Sequence, residues 1–132
     1  MPSTSLPASA SAAVAQRAAQ RAAQLIVDYK GNDVVLLDLH EVSDMTDYFI
    51  VASGTSDTHV RSMGERLIED MKKEGVRVHH AEGLEKGRWV LLDFVDFVVH
   101  VFHPTLRNFY QLERLWSDAE VIPVDSGQGA GA

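Results

Sequence analysis

The 132-residue sequence contains no cysteine. Disulfides, thiolate metal ligands and a cysteine nucleophile are therefore excluded, in keeping with a reducing cytosol. No apolar run approaches the ~20 residues that span a bilayer, so no transmembrane helix is expected. Basic residues are also few: 12 Lys and Arg face 19 Asp and Glu, for a net charge of −7. An acidic chain repels phosphate backbones over long range, so extensive direct contact with RNA or DNA is not expected. A basic protein partner is the better complement. No run of residues repeats.

The hydrophobic content of 45% and charged content of 23% are those of an ordinary globular protein, and the length suits one core. Residues 1–9, which include two prolines, and the tail from 123 to 132 are expected to be disordered, with a single domain over 10–122. The first 29 residues carry Arg17 and Arg21 and no acid before Asp28, a composition shared with organellar transit peptides. The amphipathic pattern at Leu25, Ile26 and Tyr29 favours a genuine first helix instead. Bacterial cytoplasm is accordingly the expected location, ahead of an organellar matrix.

Alanine is the strongest helix former, which predicts a helix over Ala10 to Lys30, stopped by Gly31. Val34 to Leu39 and Tyr48 to Ala52 read as strands. Gly54 and the capping residues Thr55 and Ser56 then start a helix, with Val60, Met63, Leu67, Ile68 and Met71 at helical spacing up to Gly75. Val76 to Ala81 reads as a third strand, Glu82 to Lys86 as a polar loop, and Arg88 to Asp93 with Asp96 to Phe102 as an antiparallel pair. Pro104 opens a last helix with Phe109, Leu112, Leu115 and Trp116 at core spacing, and nothing from Pro123 onward has much to bury. The fold class is α/β, with a mixed sheet of about five strands covered by helices. The segment from Tyr48 to Ala81 would be a right-handed crossover.

Three groups of residues invite a chemical reading. Ser53 to Ser56 sits where a phosphate would bind a helix N-terminus, but it lacks the lysine and glycine spacing of a P-loop, and capping explains it. Asp93, Asp96 and His100 would suit a metal-dependent nucleotidyltransferase or phosphoesterase, yet two-metal chemistry needs a converging carboxylate pair. No Asp-x-Asp strand follows Gly54, and aspartates beside a tight turn commonly bond its backbone. His79 and His80 point to opposite faces of a strand and cannot share a metal. No serine, histidine and acid form a nucleophilic motif. No catalytic residue, metal or cofactor is expected.

Strand parity separates the last pair into two faces. Val90, Leu92, Phe97, Val99 and Val101 form an apolar face suited to helices. Trp89, Leu91 and Asp93 share the other face with Asp96, Val98, His100 and Phe102. Tryptophan among orienting polar groups is the composition of a recognition surface. The alternative is that Trp89 lies beneath the N-terminal helix.

Several motifs then fall into a known order: Leu37-Asp38, Thr46-Asp47-Tyr48-Phe49, Ser53-Gly54-Thr55-Ser56, Glu82-Gly83, Trp89 to Asp93, Asp96 to Val101, Arg107 to Tyr110 and Leu112 to Trp116. In that order and spacing the chain resembles the ribosomal silencing factor (Iojap-like) family over about residues 12–122. The resemblance implies a nucleotidyltransferase-like α/β fold without catalytic carboxylates. It also implies a factor that binds the large ribosomal subunit through its ribosomal protein number fourteen, blocks subunit joining when nutrients are scarce, and is a homodimer when free. On that basis Trp89, Asp93, His100, Arg107, Tyr110 and Glu113 are the expected partner-binding residues, with Trp89 as anchor. The alanine-rich first helix and glycine-rich tail depart from the family pattern.

Overall fold

The computed structural model describes residues 8–41, 46–106 and 118–124. Helix α1 spans Ala8–Asp28, two residues earlier than the Ala10 start expected from the sequence. It buries Ala15, Ala19, Ala22, Ala23 and Ile26, a stripe spaced by three and four residues whose small side chains let the helix lie close to the sheet. The helix does end where Gly31 signals a stop, though by a different device. Lys30 takes the left-handed conformation (φ 72°), its N–H donates to the Val27 carbonyl, and the Gly31 N–H donates to the Ile26 carbonyl. These two bonds form a Schellman cap. Gly31 is needed for space, because a Cβ there would stand 2.6 Å from Ile26 Cγ2.

Strands β1 (Asn32–Asp38) and β2 (Tyr48–Ser53) pair antiparallel. Helix α2 (Asp57–Lys73) follows a Ser56 N-cap whose hydroxyl accepts the His59 N–H at 3.1 Å. Its apolar stripe of Val60, Met63, Leu67 and Met71 is buried. Then come β3 (His80–Glu82), β4 (Trp89–Asp93), β5 (Phe97–Phe102), a single 3₁₀ turn at Pro104–Leu106, and β6 (Glu120–Ile122). The strands form one mixed sheet in the order β3-β4-β5-β2-β1-β6. The central β2–β5 pair is parallel and every other pair antiparallel. β3 therefore runs in the same direction as β2, with β4 and β5 between them, as a β2–α2–β3 crossover requires.

Three expectations are corrected. The third strand is three residues long rather than Val76 to Ala81, because Gly75 (φ 87°) and the Val76 N–H bond to Met71 finish the cap of α2 before pairing begins. A sixth strand, β6, adds to β1 through Leu36, Leu37 and Asp38. Three residues offer too short a period to announce themselves as a strand. Beyond it Val124 still packs against the core, so the chain has something to bury after Pro123. Pro104, expected to open the last helix, begins the 3₁₀ turn, and Phe109, Leu112, Leu115 and Trp116 of that helix lie outside the described residues.

The main core lies between the helices and one sheet face. It contains Leu36, Tyr48, Ile50, Ala52, Val90, Leu92, Phe97, Val99 and Val101 with the buried stripes of α1 and α2. Leu37, Val51 and Phe102 are fully buried but stand outside that cluster. They belong to the second face.

Candidate functional site: the second face of the sheet

Strand register lays out the second face in rows. Asp93 lies opposite Val98, and Val98 opposite Phe49. Leu91 pairs with His100, and His100 with Val51. Trp89 pairs with Phe102, and Phe102 with Ser53. Trp89 is thus on the side away from α1 and α2, which rules out the reading that it lies beneath the N-terminal helix. It is half-buried, as are Leu91, Asp93, Val98 and Phe49.

His100 organises the middle of this face. It is only 5% exposed. The Trp89 indole Nε1–H donates to His100 Nδ1 at 3.1 Å, diagonally across β4 and β5. The Phe49 ring meets it edge-on at 4.7 Å, and Phe102 stacks nearly parallel at 6.1 Å. Trp89 and Phe102 also pack at 5.2 Å. Burial pushes the imidazole pKa down to about 4, so the ring is neutral at physiological pH. With Nδ1 accepting from an indole, the proton of the neutral ring sits on Nε2.

The two ends of the face differ in charge. Beside Trp89 a cleft of about 580 Å³ is lined by Ala81, Leu84, Leu106 and three charged residues, Lys86 and Arg88 with Glu85. At the other end Asp93 accepts the Val95 N–H at 2.8 Å, shaping its own turn as aspartates do. Asp96 is exposed there, and its carbonyl accepts the Asp47 N–H. The Thr46 hydroxyl, itself buried, donates to the Val95 carbonyl at 3.3 Å. Val95 is 58% exposed and holds φ 78°, a strained conformation for a β-branched residue.

Of the six residues expected to bind a partner, the structure brings Trp89, His100 and Asp93 onto one face. Arg107, Tyr110 and Glu113 lie outside the described residues. Phe49 and Phe102 also build the cluster. Strand parity alone puts Phe102 on this face; Phe49 needs the further knowledge that β2 neighbours β5. The alternative set of Asp93, Asp96 and His100 does not converge on a metal: Asp93 is tied to its turn and His100 Nδ1 to Trp89. Among the described residues no three His, Asp or Glu side chains form a group that would hold an ion.

The N-terminus of α2 has no room for a phosphate reading either. Ser56 caps it, and the Thr55 N–H donates to His59 Nδ1 at 2.9 Å. Elsewhere His40 is held between Asp38 (2.6 Å) and Asp47 (3.6 Å), and the bond to Asp38 raises its pKa. No helix among the described residues is long and apolar enough to cross a membrane.

Helices on one face of a mixed sheet, and an aromatic–histidine cluster on the other, define an α/β protein with a recognition-type surface. A family model described as "Ribosomal silencing factor during starvation" matches residues 12–131. The chain is 38% identical over 100 residues to ribosomal silencing factor RsfS of Bacillus subtilis, covering 76% of this chain and 85% of the relative. It is 36% identical over 110 residues to RsfS of Halalkalibacterium halodurans, covering 83% and 94%. A crystal structure of a Chromobacterium violaceum protein superposes with a TM-score of 0.74 at 35% identity, covering 77% of this chain and 85% of that one. The chain belongs to the ribosomal silencing factor family. That membership is consistent with a ribosome-associated regulator.

Proposed function

We propose that this chain binds the large ribosomal subunit through its ribosomal protein number fourteen and sterically blocks joining of the small subunit. Translation is thereby repressed under nutrient limitation. The observation that carries the reading is Trp89, half-buried on the face away from α1 and α2 and fixed by its bond to His100. A rigid aromatic anchor loses little conformational freedom on docking, which favours affinity. The net charge of −7 favours encounter with a basic ribosomal protein. The proposed contact residues are Trp89 and Asp93, with His100 behind the surface, together with Arg107, Tyr110 and Glu113.

The mechanism is occlusion: one surface cannot hold two bodies, and no covalent step, cofactor or metal is needed. Direct contact with nucleic acid is minor in this reading. The free protein is a homodimer and works in the bacterial cytoplasm.

Co-sedimentation with purified bacterial large subunits, followed by light scattering of subunit joining, tests the proposal. Binding with slowed joining is expected. A chain that stays in the supernatant, or binds without slowing joining, would remove silencing by occlusion.

A further inference from the structure

Among the described residues, the buried side-chain atom left without a hydrogen-bond partner is Nε2 of His100. The contrast with His59 is informative. His59 is a structural histidine with both nitrogens engaged: Nδ1 accepts the Thr55 N–H, and Nε2 lies 2.9 Å from the Tyr29 carbonyl. His100 has only half of that arrangement. Its Nδ1 accepts from Trp89, which forces the proton onto Nε2, and that N–H then faces no acceptor. A buried donor without an acceptor is unfavourable and uncommon in folded proteins. Phenylalanine would fill the same site without that deficit, but it would take from the Trp89 indole N–H the acceptor it has in His100.

We propose that the His100 Nε2–H is a latent donor, satisfied only when a partner docked on the Trp89 face brings a backbone carbonyl oxygen to it. The inference rests on the docking reading above and specifies what the partner must present. A backbone carbonyl fits better than a carboxylate, because a neutral imidazole offers no charge to offset the desolvation of an anion. Of the rings packed on His100, Trp89 is tied to Nδ1 and Phe102 is fully buried, whereas Phe49 is half-buried and makes only ring contacts with it. Phe49 is therefore the side chain the partner displaces. The latent donor would select register: a partner seated one residue out of place leaves the N–H unmet.

The test compares two variants of the full chain in binding to purified bacterial large subunits. His100→Phe is expected to melt no lower than the parent while binding at least tenfold more weakly. Trp89→Ala serves as the reference for the docking face. Weakened binding by Trp89→Ala with unchanged binding by His100→Phe overturns the latent donor alone. Unchanged binding by both overturns the docking face as well. Because His100→Phe also removes the acceptor of the Trp89 indole, the parent chain labelled with ¹⁵N-histidine decides whether Nε2 itself is engaged. On saturation with isolated ribosomal protein number fourteen, the His100 Nε2 proton resonance is expected to move downfield. An unmoved resonance in the saturated complex overturns the proposal.

Discussion

The Trp89 indole donates its N–H to His100 Nδ1 at 3.1 Å across β4 and β5. Neither residue is opposite the other in the ladder; Trp89 faces Phe102 and His100 faces Leu91. The diagonal bond therefore fixes two things at once: the orientation of a half-buried indole, and the tautomer of a buried imidazole. A side chain that is already ordered gives up less entropy on binding than a free one.

Burial of His100 makes stability depend on pH in a defined direction. Its folded pKa, about 4, lies below the ordinary 6.5. Below pH 6.5 the unfolded chain takes up a proton that the folded chain refuses, so stability falls as pH drops from about 6.5 toward 4. The full difference is on the order of 3 kcal/mol. Urea unfolding at pH 7 and pH 4.5 measures it, and His100→Phe is expected to flatten the dependence. His40 acts oppositely, because its raised pKa adds stability that is lost as pH rises through it.

Gly83 and Gly75 both have positive φ, 83° and 87°, but their substitution should differ. An alanine Cβ at Gly83 would stand 1.9 Å from the Trp89 carbonyl oxygen, whereas at Gly75 nothing lies within 4 Å. Gly75→Ala is expected to cost about 1 kcal/mol, from the left-handed conformation alone. Gly83→Ala must also push β3 away from β4, and more than 3 kcal/mol is expected, in the range of severe lesions. Thermal unfolding of the two variants side by side checks the order.

Val95 is exposed and strained at the β4–β5 turn. Asparagine tolerates the left-handed region well. Val95→Asn is expected to stabilise the chain by about 1 kcal/mol. An unchanged or lower urea midpoint would show that the valine makes a compensating contact.

Much of this architecture was legible in the sequence because periodicity was strong where burial is one-sided. The α2 stripe from Val60 to Met71 and the alternation from Trp89 to Phe102 led to the observed helix and hairpin. Edge strands were less legible. At β3 the backbone of Val76 serves a helix cap, and at β6 three residues carry no period. The site was partly legible: parity placed Trp89, Asp93 and His100 together, but parity cannot reveal which strand lies alongside. Phe49 joins the cluster only because β2 and β5 pair in parallel across a large sequence separation. The depth of His100 was hidden for the same reason.

Affinity of Trp89→Ala for purified bacterial large subunits, compared with the parent chain, tests the docking face most directly, provided circular dichroism shows the variant folded. A loss of at least about 2 kcal/mol, roughly thirtyfold, is expected of a central aromatic anchor. Parental affinity in the folded variant would contradict the assignment and move the contact surface away from Trp89.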